Sequence, residues 1–308
     1  MTIDISILIP AYNEEQNVSL LYERLKKVLF PLKGSYELIF IDDGSKDKTL
    51  FELKKLNKKD SIVKIISFKK NFGKAAALNA GFEVAKGEIV FTMDADLQDD
   101  PKEIPRFIKK LDEGYDMVSG WKFKRYDPIS KTIPSKFFNW LTKVTTGVNI
   151  HDSNCGFKAY RKDVVKNVNV YGELHRYIPA LAHWKGFSVG EIKVQHHARK
   201  FGKSKYGTKR LINGFFDLIT VKFLSSFQSK PLHFFGIISL FCGLIGIISM
   251  VYLFYLKLLG SSIGDRPLFL LSILSIILSI QFISLGLIGE MITFNSKKEN
   301  YIIKEKIL

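Results

Sequence analysis

The run Ile89-Val90-Phe91-Thr92-Met93 leads directly into Asp94-Ala95-Asp96-Leu97-Gln98. Five apolar or β-compatible residues read as a strand, and carboxylates at its exit place charge where an open parallel sheet binds ligands. The same alternation runs on both sides. Strand-like runs cover Ile3–Ile9, Tyr36–Ile41, Val63–Ser67, Ile89–Met93 and Met117–Ser119. Helix candidates Glu15–Leu29, Lys48–Asn57, Lys74–Ala85 and Pro101–Glu113 lie between them, the last opening on a proline in its first turn. This order predicts an α/β domain with a mostly parallel, Rossmann-like sheet covered by helices on both faces.

Beyond about residue 129 the pattern changes. Lys131–Val144 and Lys209–Phe227 mix lysines with large apolar residues, as do helices lying in a membrane interface. For the first, a helix facing an ordinary core is an equal alternative. Leu232–Leu256 and Pro267–Gly289 then carry no Asp, Glu, Lys or Arg. At the rise of an α-helix they extend about 37 and 35 Å, enough to cross a hydrocarbon layer of about 30 Å. The expected organisation is a catalytic domain over 1–207, an amphipathic interface helix over 208–230, and a two-span region with a short basic tail over 231–308.

The 308-residue chain has a net charge of +16. Its basic residues form no nucleic-acid motif, so nucleic acid is not an expected partner; an anionic leaflet and phosphorylated ligands account for the charge. Met1 precedes the first strand almost directly, so no leader is expected. The basic domain and Lys297, Lys298, Lys304 and Lys306 flank the spans, which places both termini in the cytoplasm by the positive-inside rule. Cys155 and Cys242 are far apart and suggest neither a disulfide framework nor a zinc site.

Asp94 and Asp96, with Gln98 two residues on, offer hard oxygen donors to Mg²⁺ or Mn²⁺ holding a diphosphate. An acidic solvated turn is the plain alternative, and the strand-end position argues against it. Tyr12 and Asp43, at the exits of the first two strands, can stack on a base and accept from its N–H. Asn71-Phe72-Gly73-Lys74 has neither P-loop nor dinucleotide spacing. His196-His197 lacks a third ligand nearby and stays outside the metal site.

With Ile9-Pro10-Ala11-Tyr12-Asn13-Glu14, Ile41-Asp42-Asp43-Gly44-Ser45, Met93-Asp94-Ala95-Asp96-Leu97-Gln98, Cys155-Gly156-Phe157-Lys158-Ala159-Tyr160-Arg161 and Arg199-Lys200-Phe201-Gly202-Lys203-Ser204-Lys205-Tyr206, the chain resembles family 2 glycosyltransferases of the GT-A fold. It is most similar to the polyprenyl-phosphate group related to dolichyl-phosphate mannose synthase and bactoprenol glucosyltransferases. The resemblance spans essentially the whole chain. It implies a nucleotide site lined by Pro10, Tyr12, Glu14, Ile41, Asp43, Asp94 and Ala95, and a metal bound by Asp94, Asp96 and Gln98. It also implies an acceptor-phosphate site of Lys122, Lys136, Arg199 and Lys205. Dolichyl-phosphate mannose synthases typically carry arginine at the first two of these positions; Arg125 can compensate for the lost bidentate fork.

The implied reaction is inverting transfer of a hexose-type sugar from a nucleotide donor, UDP-linked first, to a polyprenyl phosphate such as undecaprenyl phosphate. The implied assembly is a homo-oligomer, a tetramer. Asp94, Asp96 and Asp152 are the candidate catalytic carboxylates, with Asp152 contacting sugar, orienting a basic residue or merely capping a turn. Arg199–Tyr206 is placed to close over the substrates. A lipid-hydroxyl or polysaccharide acceptor, or an inactive nucleotide-sugar-binding protein, are the alternatives. UDP-glucose, UDP-N-acetylglucosamine, UDP-4-amino-arabinose derivatives and GDP-mannose all remain open as donors.

Overall fold

Period-two alternation in the first strand sets the layers. Ile5, Ile7 and Ile9 join the main core cluster, whereas Leu8 packs on the opposite face of the sheet beside Gly81. Both faces of this strand are therefore covered, as a parallel sheet requires. The computed structural model describes residues 3–32, 34–123, 142–143, 146–168, 170, 174–197, 223 and 230–295. The chain divides into two compact units, Met1–Val221 with Ile302–Leu308, and Lys222–Tyr301.

The first unit contains β1 (Ile5–Ala11), α1 (Val18–Leu29), β2 (Tyr36–Asp42), α2 (Thr49–Lys59), β3 (Val63–Ser67), α3 (Lys74–Val84), β4 (Ile89–Thr92), α4 (Ile104–Asp112), β5 (Met117–Lys122), β6 (Lys158–Arg161), α5 (Lys162–Asn167), α6 (Ile178–Trp184) and β7 (Val189–Val194). The seven strands lie in the order β3-β2-β1-β4-β6-β5-β7. All neighbours run parallel except β6, which is antiparallel to both β4 and β5. Helices α1, α2 and α4 cover one face through Leu21, Leu25, Leu53, Phe107 and Leu111. On the other face, α3 brings Phe82 edge-on to Tyr160 with ring centroids 5.6 Å apart.

Several boundaries differ from the sequence reading. Helix α1 starts at Val18 instead of Glu15, because residues 14–17 form a turn in which Asn17 N–H donates to Glu14 O at 2.9 Å. Pro101–Glu103 is a 3₁₀ turn, and the α-helix proper begins at Ile104. Strand β5 runs on to Lys122, and β6 and β7 were not expected. Strand β6 is only four residues long and contains a lysine, so periodicity carries little signal there.

The reversed direction of β6 matters most for the site. Lys158 pairs with Thr92 at the exit of β4 and with Ser119 in β5. The segment leading into β6 is therefore delivered to the same sheet edge as the strand exits of β1, β2 and β4.

The second unit is a helical hairpin of α7 (Pro231–Leu258) and α8 (Pro267–Asn295). Both predicted spans lie inside these helices, which are long and apolar enough to cross a membrane, with mean hydropathy 2.5 each. Small residues let them approach: a Cβ on Gly246 would stand 2.7 Å from Ile276, and one on Gly243 2.9 Å from the Ser279 hydroxyl. Ser239 donates its hydroxyl to Ser279 O at 2.7 Å. At the hairpin's open end the Leu232 N–H, unpaired within its own helix, donates to Glu290 Oε2 at 3.3 Å. Lys131–Val144 and Lys209–Phe227 lie almost wholly outside the described residues.

Candidate active site

Two loops build one flank. After β1, Asn13 takes a left-handed backbone conformation (φ 53°) and accepts from Lys46 N–H at 2.8 Å. Its own N–H donates to Ser45 Oγ at 2.9 Å, Glu14 N–H to Thr49 Oγ1 at 2.8 Å, and Glu15 N–H to Asp47 Oδ2 at 3.3 Å. Lys48 N–H returns a bond to Glu15 Oε2 at 2.9 Å. The β1 and β2 exits are thus joined into one wall. Gly44 is obligatory in it: φ is 68°, and a Cβ would lie 2.4 Å from the Lys70 carbonyl carbon.

Pro10 and Tyr12 are half-buried at the β1 exit, and Glu14 is buried, accepting from Asn17 Nδ2 at 2.5 Å. Asp43 is buried and accepts from Phe72 N–H at 2.7 Å and Gly73 N–H at 3.0 Å. Burial raises its pKa, and these two N–H groups offset only part of the rise. Ile41 is fully buried in β2, packed beneath Gly81 on α3.

At the exit of β4, alternation separates two sets of side chains. Met93, Ala95 and Leu97 enter the core cluster, while Asp94, Asp96 and Gln98 interleave with them. Leu97 adopts φ 63°, turning the chain so that Gln98 N–H donates to Asp96 Oδ1 at 3.2 Å. Gln98 and Asp99 then pair with His197 and His196 beyond β7. Opposite Asp94 lies Gly156, where a Cβ would stand 2.5 Å from Asp94 Oδ2. Only glycine permits this approach.

Lysines surround the carboxylate. Lys74, the first residue of α3, forms an ion pair with Asp94. Lys122, at the end of β5, lies 3.3 Å from buried Asp99. Lys158 is buried at the start of β6 and donates to Cys155 O. Burial would raise the Asp94 pKa, but Lys74 and Lys122, with Lys158 adding less, hold it at about 2. For Lys158 burial dominates and depresses the ammonium to about 8, reinforced by Lys74 and opposed by Cys155, Asp152 and Asp94. Burial also acts against charge on Lys122, yet Asp99, Cys155, Asp94 and Asp152 together raise its pKa. Burial pushes the Cys155 thiol up to about 12, making it a packing residue and not a nucleophile. Asp94 still has 32% of its side chain exposed, so a ligand can reach it.

Asp152 is buried; its Oδ1 accepts from Asn154 N–H at 3.2 Å and its own N–H donates to Glu191 Oε1 at 3.1 Å. It lies close enough to act electrostatically on Lys122 and Lys158. The structure therefore brings Asp94, Asp96, Asp152 and Lys122 to one edge. Arg125, Lys136, Arg199 and Lys205 lie outside the described residues. The sequence reading gave no role to Lys74 or Lys158. A lone lysine inside the apolar stretch Gly156–Tyr160 was the available signal for Lys158. Lys74 follows a glycine at a helix start, a position that looks solvated in one dimension.

Among the described residues, no three His, Cys, Asp or Glu side chains converge as a ready-made cation cage. Two carboxylates spaced one residue apart, with a glutamine amide beside them, nevertheless match the hard oxygen donors favoured by Mg²⁺ or Mn²⁺. Diphosphate oxygens and water would have to complete the shell.

A family model described as Glycosyl transferase family 2 matches residues 6–168. The chain belongs to this family. It is 36% identical to a dodecaprenyl-phosphate galacturonate synthase of Rhizobium johnstonii, over 99% of this chain and 93% of the relative. It is 39% identical to an undecaprenyl-phosphate 4-deoxy-4-formamido-L-arabinose transferase of Shewanella sediminis, over 94% and 86%. Family 2 membership therefore extends to relatives that are polyprenyl-phosphate sugar transferases, and the two apolar helices mark a membrane protein. The GT-A fold is shared with glucosyl-3-phosphoglycerate synthase of Mycobacterium tuberculosis, solved with Mn²⁺, UDP and phosphoglyceric acid. That similarity has a TM-score of 0.56 at 18% identity and covers 72% of this chain and 78% of the other.

Proposed function

We propose that this protein transfers a hexose-type sugar, with inversion, from a UDP-linked donor to a polyprenyl phosphate at the cytoplasmic leaflet. The observation carrying this reading is the packing of Asp94 at the β4 exit among Lys74, Lys122 and Lys158, with Asp96 two residues further on. Acidic and basic side chains adjoin at one edge, as expected where two anionic reactants must meet. The galacturonate and formamido-arabinose relatives support the acceptor class and leave the sugar open.

In this reading Asp94, Asp96 and Gln98 would hold a Mg²⁺ or Mn²⁺ ion, and the ion would supply positive charge against the leaving diphosphate. Pro10, Tyr12, Glu14 and Asp43 form the wall for the nucleotide. Lys122 holds the acceptor phosphate, together with Arg125, Lys136, Arg199 and Lys205. A phosphate oxygen attacks the anomeric carbon as the carbon–oxygen bond to UDP breaks, and UDP departs. The second pKa of a phosphate monoester is about 6, so near neutrality the nucleophile is already anionic and needs no general base. Asp152, buried and bonded to backbone, serves here to orient the basic cluster. The protein's work is to bring like charges together in line.

Full-length protein in lipid nanodiscs, with Mg²⁺ or Mn²⁺, undecaprenyl phosphate and a panel of UDP- and GDP-sugars, should yield one sugar-phosphate lipid by mass spectrometry. Lys122→Met should raise the KM for the lipid phosphate at least tenfold. Absence of turnover with every donor in folded protein would refute the reading, and Asp152→Asn abolishing transfer would favour a hydroxyl acceptor.

A further inference from the structure

Lys74 already stands as a cation on the carboxylate that the proposed function assigns to a metal. Its ammonium donates to Asp94 Oδ1. Gly156 covers another side of the same carboxylate, where Cγ, Oδ1 and Oδ2 all lie within 2.9 Å of the place its Cβ would take. Asp94 is therefore closed in by backbone on one side and held by an ammonium at Oδ1. Two cations on one carboxylate oxygen repel strongly at contact distance. An ion arriving at Asp94 and the ammonium already there oppose each other.

The lysine is placed to yield. Its side chain is 20% exposed, whereas Lys158 nearby is buried. The two like charges lie close enough for Lys74 to help depress the Lys158 ammonium, so repulsion from inside the fold favours an outward swing. A flexible four-carbon stem permits that swing without moving α3. The start of α3 is itself fastened to the nucleotide wall. Asp43 accepts from Phe72 N–H at 2.7 Å and Gly73 N–H at 3.0 Å, the two residues before Lys74. Lys74 thus connects the wall read as the nucleotide site with the carboxylate read as the metal site. A diphosphate joining the two is the anion to which a displaced ammonium turns.

We propose that Lys74 is a resident counter-ion for Asp94, opposing metal while no donor is bound and transferring to the donor's diphosphate when metal and nucleotide are both present. Metal alone then binds weakly, nucleotide strengthens its binding, and Asp94 keeps a cationic partner throughout. Such coupling is shared between the two ligands and acts in both directions. The inference rests on the metal reading of Asp94 and Asp96 and deepens it; it gives Lys74 no part in choosing the sugar or the lipid.

The test measures Mn²⁺ binding to full-length protein in detergent by electron paramagnetic resonance, with and without saturating UDP, subtracting Mn²⁺–UDP formed in buffer. In Lys74→Met, Mn²⁺ alone should bind about tenfold more tightly than in wild type, and the factor by which UDP tightens Mn²⁺ should fall about tenfold. Lys74→Gln should behave in the same way, so the result does not hang on one replacement's folding. Lys74→Arg, which keeps the charge, should retain most of the wild-type coupling. Equal Mn²⁺ affinity in wild type and both neutral variants without UDP would overturn the inference. Tighter Mn²⁺ with unchanged coupling would also overturn it, reducing Lys74 to one more positive charge near the site. Both of those results leave Mn²⁺ binding by wild type intact. Wild type that fails to bind Mn²⁺ even with UDP would instead remove the metal reading, and this inference with it.

Discussion

Replacing Lys158 by methionine should flatten one part of the pH dependence of stability. Lys158 is 3% exposed, and burial lowers its pKa from the ordinary lysine value of 10.5 to about 8. Above 10.5 the side chain is neutral in both folded and unfolded chains and contributes no penalty. As pH falls from 10.5 to 8 the unfolded chain takes up a proton that the folded one refuses, so stability declines; below 8 the loss is constant. A depression of about 2.5 units corresponds to a full penalty on the order of 3 kcal/mol, of which about 2 kcal/mol accrues between pH 9.5 and pH 7. Methionine has similar length and no charge, so the variant lacks this term. It also loses the bond to Cys155 O and some packing, and those losses do not depend on pH. The measurement is therefore a double difference. Urea unfolding of wild type and Lys158→Met is followed by tryptophan fluorescence at both pH values, in the same detergent. Variant stability relative to wild type should be about 2 kcal/mol more favourable at pH 7 than at 9.5. An equal gap at both pH values would mean that Lys158 titrates normally and that the charge cluster around Asp94 is drawn wrongly.

Three further outcomes are expected. Gly156→Ala should leave the far-ultraviolet circular dichroism unchanged but lower kcat ten- to a hundredfold, because a methyl 2.5 Å from Asp94 Oδ2 displaces that carboxylate; normal kcat would show that the contact relaxes without consequence. Asp94→Asn combined with Asp96→Asn should reduce sugar transfer at least a hundredfold and abolish Mn²⁺-dependent retention on a UDP resin, and full transfer would remove the metal assignment. Glu290→Ala should cost about 1 kcal/mol of hairpin stability by leaving the Leu232 N–H without its acceptor, read as a lower melting temperature in detergent.

The parallel part of the sheet was legible because β1 to β4 carry long apolar or β-branched runs separated by helical patterns. Both membrane helices were legible for a similar reason: more than twenty residues without charge leave few alternatives. Strands β6 and β7 escaped notice because β6 is four residues with a buried lysine, and β7 alternates Val189, Glu191 and Lys193 with residues of the other face. A mostly parallel sheet was the right expectation, but the reversal at β6 depends on pairing between residues far apart in the chain. Asp94 and Asp96 could be picked out by position. Their lysine neighbours could not, since Lys74 and Lys158 come from 20 and 64 residues away, and no local pattern records such a meeting. Asp43 illustrates the converse. Its place at a strand exit was visible, whereas its bonds to Phe72 and Gly73 belong to the three-dimensional loop.

The wall formed by the β1 and β2 exits has a consequence for redesign. Five bonds link Asn13, Glu14 and Glu15 to Ser45, Lys46, Asp47, Lys48 and Thr49, so neither segment holds its shape alone. Grafting one of them from a relative with another base preference would leave unmatched partners on both sides of the seam. Transplanting residues 10–17 and 42–49 as a single cassette would carry the seam along, and with it whatever nucleotide selectivity those residues confer.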